Sequence, residues 1–258
     1  MIYYFSGTGN SRYVAESLAD CIGDDAAPLA PLACSDEEVC LSSYESVGIV
    51  CPVYSWGLPV PVVEFVRRLA RSRDKQPYVW CVLTCGDETG LAHRIMKSEL
   101  ARRGYNLNAV WSVIMPNNYV LLAGFDVDAD DVAQRKIDAA PKRIAEIAAG
   151  IFERTEVTDV TVGSLPWLKS RIVYPLFKRW GIFPRKFRVS SDCVGCRRCA
   201  SACPLGNVTM VDGKPSWGNN CASCVACYHV CPRECIQYGS ATRGKGHYCF
   251  RAKTKGGE

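Results

Sequence analysis

Ile2-Tyr3-Tyr4-Phe5-Ser6-Gly7-Thr8-Gly9-Asn10-Ser11 opens the chain, and the order of residue types in it decides the fold of the first half of the molecule. The apolar run Ile2 to Phe5 is too short for anything but a buried strand. A small hydroxyl-rich turn succeeds it, and a helix begins at once, with Val14, Leu18 and Ile22 on one face and Glu16 and Asp20 on the other. Where a strand feeds a helix through such a turn, unpaired backbone N–H groups and the helix dipole converge on one point, which suits an anion. Two phosphate loops are excluded: the dinucleotide fingerprint needs glycine where Arg12 stands, and a P-loop needs a Gly-Lys-Ser/Thr ending that is absent.

Further along, two strands end in loops of their own. Val47 to Val53 is a continuous apolar run of the kind found in central parallel strands, and it leads into Pro52-Val53-Tyr54-Ser55-Trp56-Gly57-Leu58-Pro59. Tyr78 to Leu83 leads into Thr84-Cys85-Gly86-Asp87, and Val110 to Met115 into Pro116-Asn117-Asn118-Tyr119. Between them, the pattern predicts a helix from Leu58 with prolines in its first turn and Val62, Phe65, Val66 and Leu69 buried. Leu91 to Gly104 forms a second helix, and Asp126 to Phe152 a third that Pro141 should kink or divide. A weak strand is expected near Ala27 to Leu32.

The turn Ser6-x-Thr8-Gly9-x-Ser11 resembles the phosphate loop of flavodoxins, Thr/Ser-x-Thr-Gly-x-Thr/Ser. That resemblance implies a doubly wound parallel α/β sheet of order 2-1-3-4-5 in which the loops after the first, third and fourth strands enclose FMN. Ser6, Gly7, Thr8, Gly9, Asn10 and Ser11 would then hold the phosphate. Pro52, Val53, Tyr54, Ser55, Trp56 and Gly57 look like the loop whose aromatic ring stacks on the flavin, and Thr84, Cys85, Gly86 and Asp87 like the next. One departure stands out. Flavodoxins usually place a tyrosine in the fourth-strand loop, and none is present here, which leaves one flavin face open or covered by Tyr119 beside Asn118.

The second half is dominated by cysteine. Cys193, Cys196, Cys199 and Cys203 are followed by Pro204; Cys221, Cys224, Cys227 and Cys231 repeat the spacing 28 residues later and are followed by Pro232. This resembles bacterial two-cluster ferredoxins, whose fourth cysteine ligates the other cluster. The resemblance implies one [4Fe-4S] cluster on Cys193, Cys196, Cys199 and Cys231, and another on Cys221, Cys224, Cys227 and Cys203. Structural zinc and disulfides are the alternatives; zinc sites use separated Cys-x2-Cys pairs, without a third cysteine in step. A module this small would depend on its clusters to fold. Cys21, Cys34, Cys40, Cys51 and Cys81 lack metal spacing, and Cys235 and Cys249 are spare. His229, inside the second run, reads as a surface residue.

Composition and charge narrow the rest. The chain has 258 residues, 48% hydrophobic and 22% charged, as in a soluble globular protein of two domains. The N-terminus lacks a basic n-region, and no apolar run reaches the length of a spanning helix, about 18 residues. The expected location is therefore cytoplasmic, with thiols kept reduced. Net charge divides unevenly, −5 over residues 1–155 and +10 over 156–258. Cluster-bound thiolates account for part of the positive surplus, and with no recognised motif nucleic acid is not an expected partner. Residues 160–191 contain no acidic residue and interleave Lys169, Arg171, Lys178, Arg179, Arg185, Lys186 and Arg188 with Trp167, Tyr174, Phe177, Trp180, Phe183 and Phe187. They read either as a connector packing aromatics between domains or as a docking surface, and packing is the expectation.

Together the two modules resemble bacterial and archaeal fusions of a flavodoxin-like domain with a two-cluster ferredoxin. The resemblance implies an FMN-binding domain at 1–155, a basic aromatic connector at 156–188, a small α+β two-cluster domain at 189–240 and a loose basic tail at 241–258. It implies an electron-transfer flavoprotein that exchanges electrons with a protein redox partner. A reductase of a small organic substrate, or a redox sensor or scaffold with an empty flavodoxin fold, are the alternatives.

Overall fold

The computed structural model describes residues 1–35, 38–72, 76–181 and 184–250. Six strands form one parallel sheet: β1 (Ile2–Tyr4), β2 (Ala26–Pro28), β3 (Ser46–Pro52), β4 (Tyr78–Cys85), β5 (Ala109–Ile114) and β6 (Thr158–Asp159). Their order is 2-1-3-4-5-6, the expected order extended by a two-residue edge strand. The central strands are buried on both faces, so their side chains sort by alternation rather than by polarity. Tyr3, Phe5, Val47, Ile49, Cys51, Val79, Cys81 and Leu83 enter one core layer; Ile2, Val50, Trp80 and Val82 enter the other.

Helices cover each layer with their apolar stripes. On the first face lie α2 (Ala30–Cys34), α3 (Val60–Arg68) and α4 (Ala92–Ala101), which bury Val62, Phe65, Met96 and Leu100; on the second lie α1 (Asn10–Ile22) and α5 (Asp130–Phe152), which bury Val14, Leu18, Ile144, Ile147 and Ile151. Two expectations need correction. The weak second strand ends at Pro28 and gives way to α2, because Ala30, Leu32 and Ala33 turn their apolar side chains into the core from a helix. The long helix α5 runs undivided through Pro141, held to the sheet by Ala140, Ile144 and Ile147 on either side of the proline.

After the sheet, α6 (Pro166–Leu168), a π turn (Lys169–Val173) and α7 (Tyr174–Trp180) continue one another as a single helical segment. The remaining module holds two antiparallel pairs, β7 (Phe187–Val189) with β10 (Ile236–Tyr238) and the hairpin of β8 (Val208–Val211) with β9 (Lys214–Trp217), which turns at Asp212-Gly213. Its two short helices, α8 (Arg198–Ser201) and α9 (Ala226–His229), sit 28 residues apart like the cysteines. The module's core is not its own. Val120 and Leu121, from the segment after β5, are buried in it among Phe187, Tyr228 and Ile236. Among the described residues no helix is long and apolar enough to cross a membrane.

Candidate functional site

The turn after β1 is organised by Gly9, whose φ of 103° caps α1 in a left-handed conformation that a side chain would strain. Its N–H donates to Ser6 Oγ at 3.2 Å. Ser11 Oγ pairs with Thr84 Oγ1 at 2.7 Å, so the loops after β1 and β4 meet. Asn10 donates from Nδ2 to the Pro116 carbonyl at 3.0 Å, and Asn118 Nδ2 donates to Thr8 Oγ1. Three loops therefore converge at one end of the sheet beside the N-terminus of α1. Ser11 is buried with its hydroxyl engaged by Thr84, which leaves Ser6 and Thr8, whose oxygens accept from Gly9 and Asn118, as the hydroxyls with hydrogens to donate to a phosphate.

Trp56 occupies a strained position. Tyr54 and Gly57 exchange both backbone hydrogen bonds, at 3.0 and 3.1 Å, across a two-residue turn in which Ser55 and Trp56 have φ of 49° and 59°. Such a turn favours Asn-Gly, and non-glycine residues there cost roughly 1–2 kcal/mol each. The strain is supported from outside: Trp56 Nε1 donates to Glu88 Oε1 at 2.7 Å, Ser170 Oγ donates to the Trp56 carbonyl at 2.8 Å, and the Lys169 ammonium lies 5.1 Å from the indole. Burial raises the Glu88 carboxyl, but bonds from Lys169, the Ser164 amide and Trp56 outweigh it and hold the carboxyl below its ordinary value. The sequence carried no sign of this clamp, because its members lie 32 and 81 residues apart.

Gly86 and Asp87 meet the loop after β5. Asn117 bridges Asp87 and Asp128 through its side-chain amide, at 3.0 and 3.2 Å, and Lys136 pairs with Asp128 at 2.7 Å. Cys85 is buried, which pushes its thiol up to about 12 and leaves it a packing residue at neutral pH. Pro52 and Val53 continue β3 into the Trp56 turn, Val53 N–H donating to the Thr84 carbonyl at 2.9 Å. Tyr119 packs edge-on against Phe125 and Phe177, at 5.7 and 6.3 Å, and burial pushes its hydroxyl up to about 12.

The eight cysteines of the two runs divide between two cavities. Cys193, Cys196, Cys199 and Cys231 line one of about 330 Å³, counting space open to solvent, together with Met210, Ile236 and Cys235. Cys203, Cys221, Cys224 and Cys227 line the other, of about 350 Å³ on the same basis, with Phe187, Val208 and Trp217. The fourth cysteine of each run thus faces the cavity of the other. Two sulfurs accept backbone N–H groups, Cys203 from Asn207 at 3.2 Å and Cys221 from Ser223 at 3.4 Å. Arg197 and Val225, again 28 apart, take left-handed φ of 63° and 53° and turn each run into its short helix. Among the described residues no three His, Cys, Asp or Glu side chains are drawn tightly enough together to hold a single metal ion. Four thiols at each cavity are the donor type and number that an iron–sulfur cluster requires.

The second cavity abuts the phosphate-type turn. A Cβ on Gly7 would lie 2.8 Å from both Cβ and O of Cys224, so only glycine allows this approach. Ala222 joins the core beneath the sheet, with Leu205 and Cys224 packed on it. His229 is buried, contrary to the surface reading: its Nε2 lies 2.7 Å from the Asn118 carbonyl and its Nδ1 accepts from Tyr248 N–H at 3.1 Å, which makes Nε2 the donor. The first cavity faces outward, with Val194, Cys196, Arg197 and Arg198 exposed.

The tail up to residue 250 is packed, not loose. Tyr248 Oη donates to Asn10 Oδ1 at 2.7 Å, Phe250 N–H donates to the Thr8 carbonyl at 2.8 Å, and the Phe250 ring stacks on Tyr13 at 4.3 Å. The physical reason is aromatic: Tyr248 and Phe250 have apolar area to bury, which the basic composition of the segment concealed. Residues 251–258 of the expected tail, and Phe183 of the connector, lie outside the described residues.

The model of the flavodoxin domain family matches residues 1–117. Among solved structures, the flavodoxin of Streptococcus pneumonia TIGR4 is similar over 58% of this chain and 97% of its own, at 16% identity and TM-score 0.34. A putative flavoprotein from Bacteroides uniformis is similar over 44% and 90%, at 14% identity and TM-score 0.34. An NAD(P)H:quinone oxidoreductase from Methanothermobacter marburgensis is similar over 57% and 95%, at 11% identity and TM-score 0.36. No curated protein matches the sequence.

Proposed function

We propose that this protein is an electron carrier that holds FMN on its flavodoxin-type domain and two [4Fe-4S] clusters on its cysteine runs, and that it exchanges electrons with a redox partner at the outward cluster. The observation that carries the reading is the contact between Gly7 and Cys224, which puts a four-cysteine cavity directly against the phosphate-type turn. When bound, the clusters supply one-electron transfer and FMN supplies transfer of one or two electrons.

The chain's own residues set the conditions. Ser6 and Thr8 offer hydroxyl donors at the N-terminus of α1, where Ser11 braces the turn against Thr84, so a phosphate needs no cationic side chain. Trp56, fixed by Glu88 and Ser170, supplies a rigid ring for stacking. Amides of Asn207 and Ser223, aimed at cysteine sulfurs, stabilise added negative charge. Phe187, Trp217 and Val208 give the inner cavity an apolar lining, whereas exposed Cys196 and Val194 leave the outer one within reach of a partner.

Anaerobic purification followed by flavin extraction, iron and sulfide analysis and low-temperature electron paramagnetic resonance tests the reading. Near-stoichiometric FMN with signals from two clusters is the expected result. Zinc without sulfide, or a protein that takes up no FMN, overturns it.

A further inference from the structure

Of the aromatic connector between the modules, only the inner face packs as expected. Ser170, Tyr174 and Phe177 point inward. Ser170 Oγ accepts from Leu91 N–H at 2.8 Å while donating to Trp56, Tyr174 Oη donates to the Leu58 carbonyl at 2.7 Å, and Phe177 packs on Tyr119. The outer face is apolar as well, and it is in water. Leu168, Ile172, Leu176 and Trp180, spaced by four, are 42–56% exposed, and Leu165 and Trp167 at the start of the segment are 67% and 63% exposed. Spacing by four on a helix makes a continuous stripe. Beside it stand Arg171, Lys178 and Arg179, with Arg185, Lys186 and Arg188 further on, and no acidic residue from 160 to 191.

We infer that this helical segment attaches the protein to the surface of an anionic lipid bilayer. An interfacial helix needs one face that anchors to the protein, an apolar stripe to enter the acyl boundary, aromatic rings at headgroup depth and cations for anionic headgroups. The segment has all four, with Trp167 and Trp180 near its two ends. Its charge is of one sign, so the complementary surface is negative. An acidic protein would answer that charge but leave the row of large apolar side chains without a use, since contacts between electron carriers are small.

The test is flotation of the full chain, purified with its bound cofactors, on vesicles of phosphatidylcholine with phosphatidylglycerol and on vesicles of phosphatidylcholine alone. Binding to the anionic vesicles, much weaker binding to the neutral ones and partial release by salt are expected. Replacing both Ile172→Ser and Leu176→Ser, two exposed positions, should cut the partition about tenfold or more. Arg171→Gln and Lys178→Gln should each weaken it about fivefold. An unchanged thermal transition in every variant confirms that the fold is intact. Absence of flotation on either vesicle overturns the inference. So does purely charge-driven binding in which the Ile172 and Leu176 variant behaves as the parent, the signature of an acidic protein partner.

Discussion

At the scale of single residues, the site is decided by close approaches that leave no trace in composition. The turn of Ser6, Thr8, Gly9 and Ser11 between β1 and α1 was legible because a short apolar strand, small residues and a helical periodicity follow one another directly. The role of Gly7 was not, because its reason is Cys224, which lies 217 positions away in the chain. Gly7→Ala forces a methyl group against the Cys224 backbone, and overpacking of this kind costs about 1–3 kcal/mol. The expected outcome is a lower urea midpoint and faster release of flavin, while Gly23→Ala, whose Cβ meets nothing within 4 Å, perturbs only its own left-handed turn. Glu99 makes a second residue-scale case. It is 6% exposed, accepts from Arg67 Nε and Nη2 at 2.9 and 3.0 Å and from Arg102 at 2.8 Å, and joins α3 to α4. Arg67's hydrogen bonds, against the opposing effect of burial, hold its carboxyl below the ordinary value. A depressed folded value means the unfolded chain takes up the proton more readily, so Glu99 stabilises the fold above the ordinary glutamate range and loses that contribution as pH falls through its folded value. Denaturation midpoints measured from neutral to acid pH should therefore fall on the acid side, and the fall should be shallower in Glu99→Gln, from a lower starting stability.

Among the elements, the central strands and amphipathic helices were readable because periodicity alone specifies them. The misread elements are those that tertiary burial overrides. Ala30, Leu32 and Ala33 belong to a helix although they follow a strand directly, and Pro141 sits inside α5 although it removes a hydrogen-bond donor. Its side chain is exposed, whereas Ala140, Ile144, Ile147 and Ile151 bind the helix to the sheet on both sides of it. Packing therefore holds a turn that local preference opposes. Pro141→Ala restores the donor without changing a core contact, and should stabilise the protein by up to about 3 kcal/mol. Thermal unfolding measures it; an unchanged or lower midpoint would mean that the helix gains nothing from the restored hydrogen bond. The connector is the converse case, since its inner face was legible only as composition until Ser170, Tyr174 and Phe177 met their partners.

For the whole molecule, the sequence reads as two modules, and residues of the first are buried in the core of the second. Val120 and Leu121 come after the fifth strand of the sheet yet are buried in the core of the cysteine module, and Lys245 donates to the Val120 carbonyl at 2.8 Å. His229 holds the Asn118 carbonyl, and Phe250 holds Thr8. The segments that shape the phosphate-type turn are thus braced by residues beyond 220. If clusters staple the second module, removing them loosens that core, and the loss reaches Asn118, Thr8 and Gly7 through these contacts. Treatment with an iron chelator and oxidant should then release flavin in step with the bleaching of the clusters, and limited proteolysis should open residues 116–127 before it cuts the central strands. Modules that were joined only by a tether would keep their flavin after the iron had gone. The shared core at Val120 and Leu121 makes coupled loss the expected outcome, and Leu121→Ala, which weakens that core by about 2–5 kcal/mol, should make the flavin leave sooner at the same extent of bleaching.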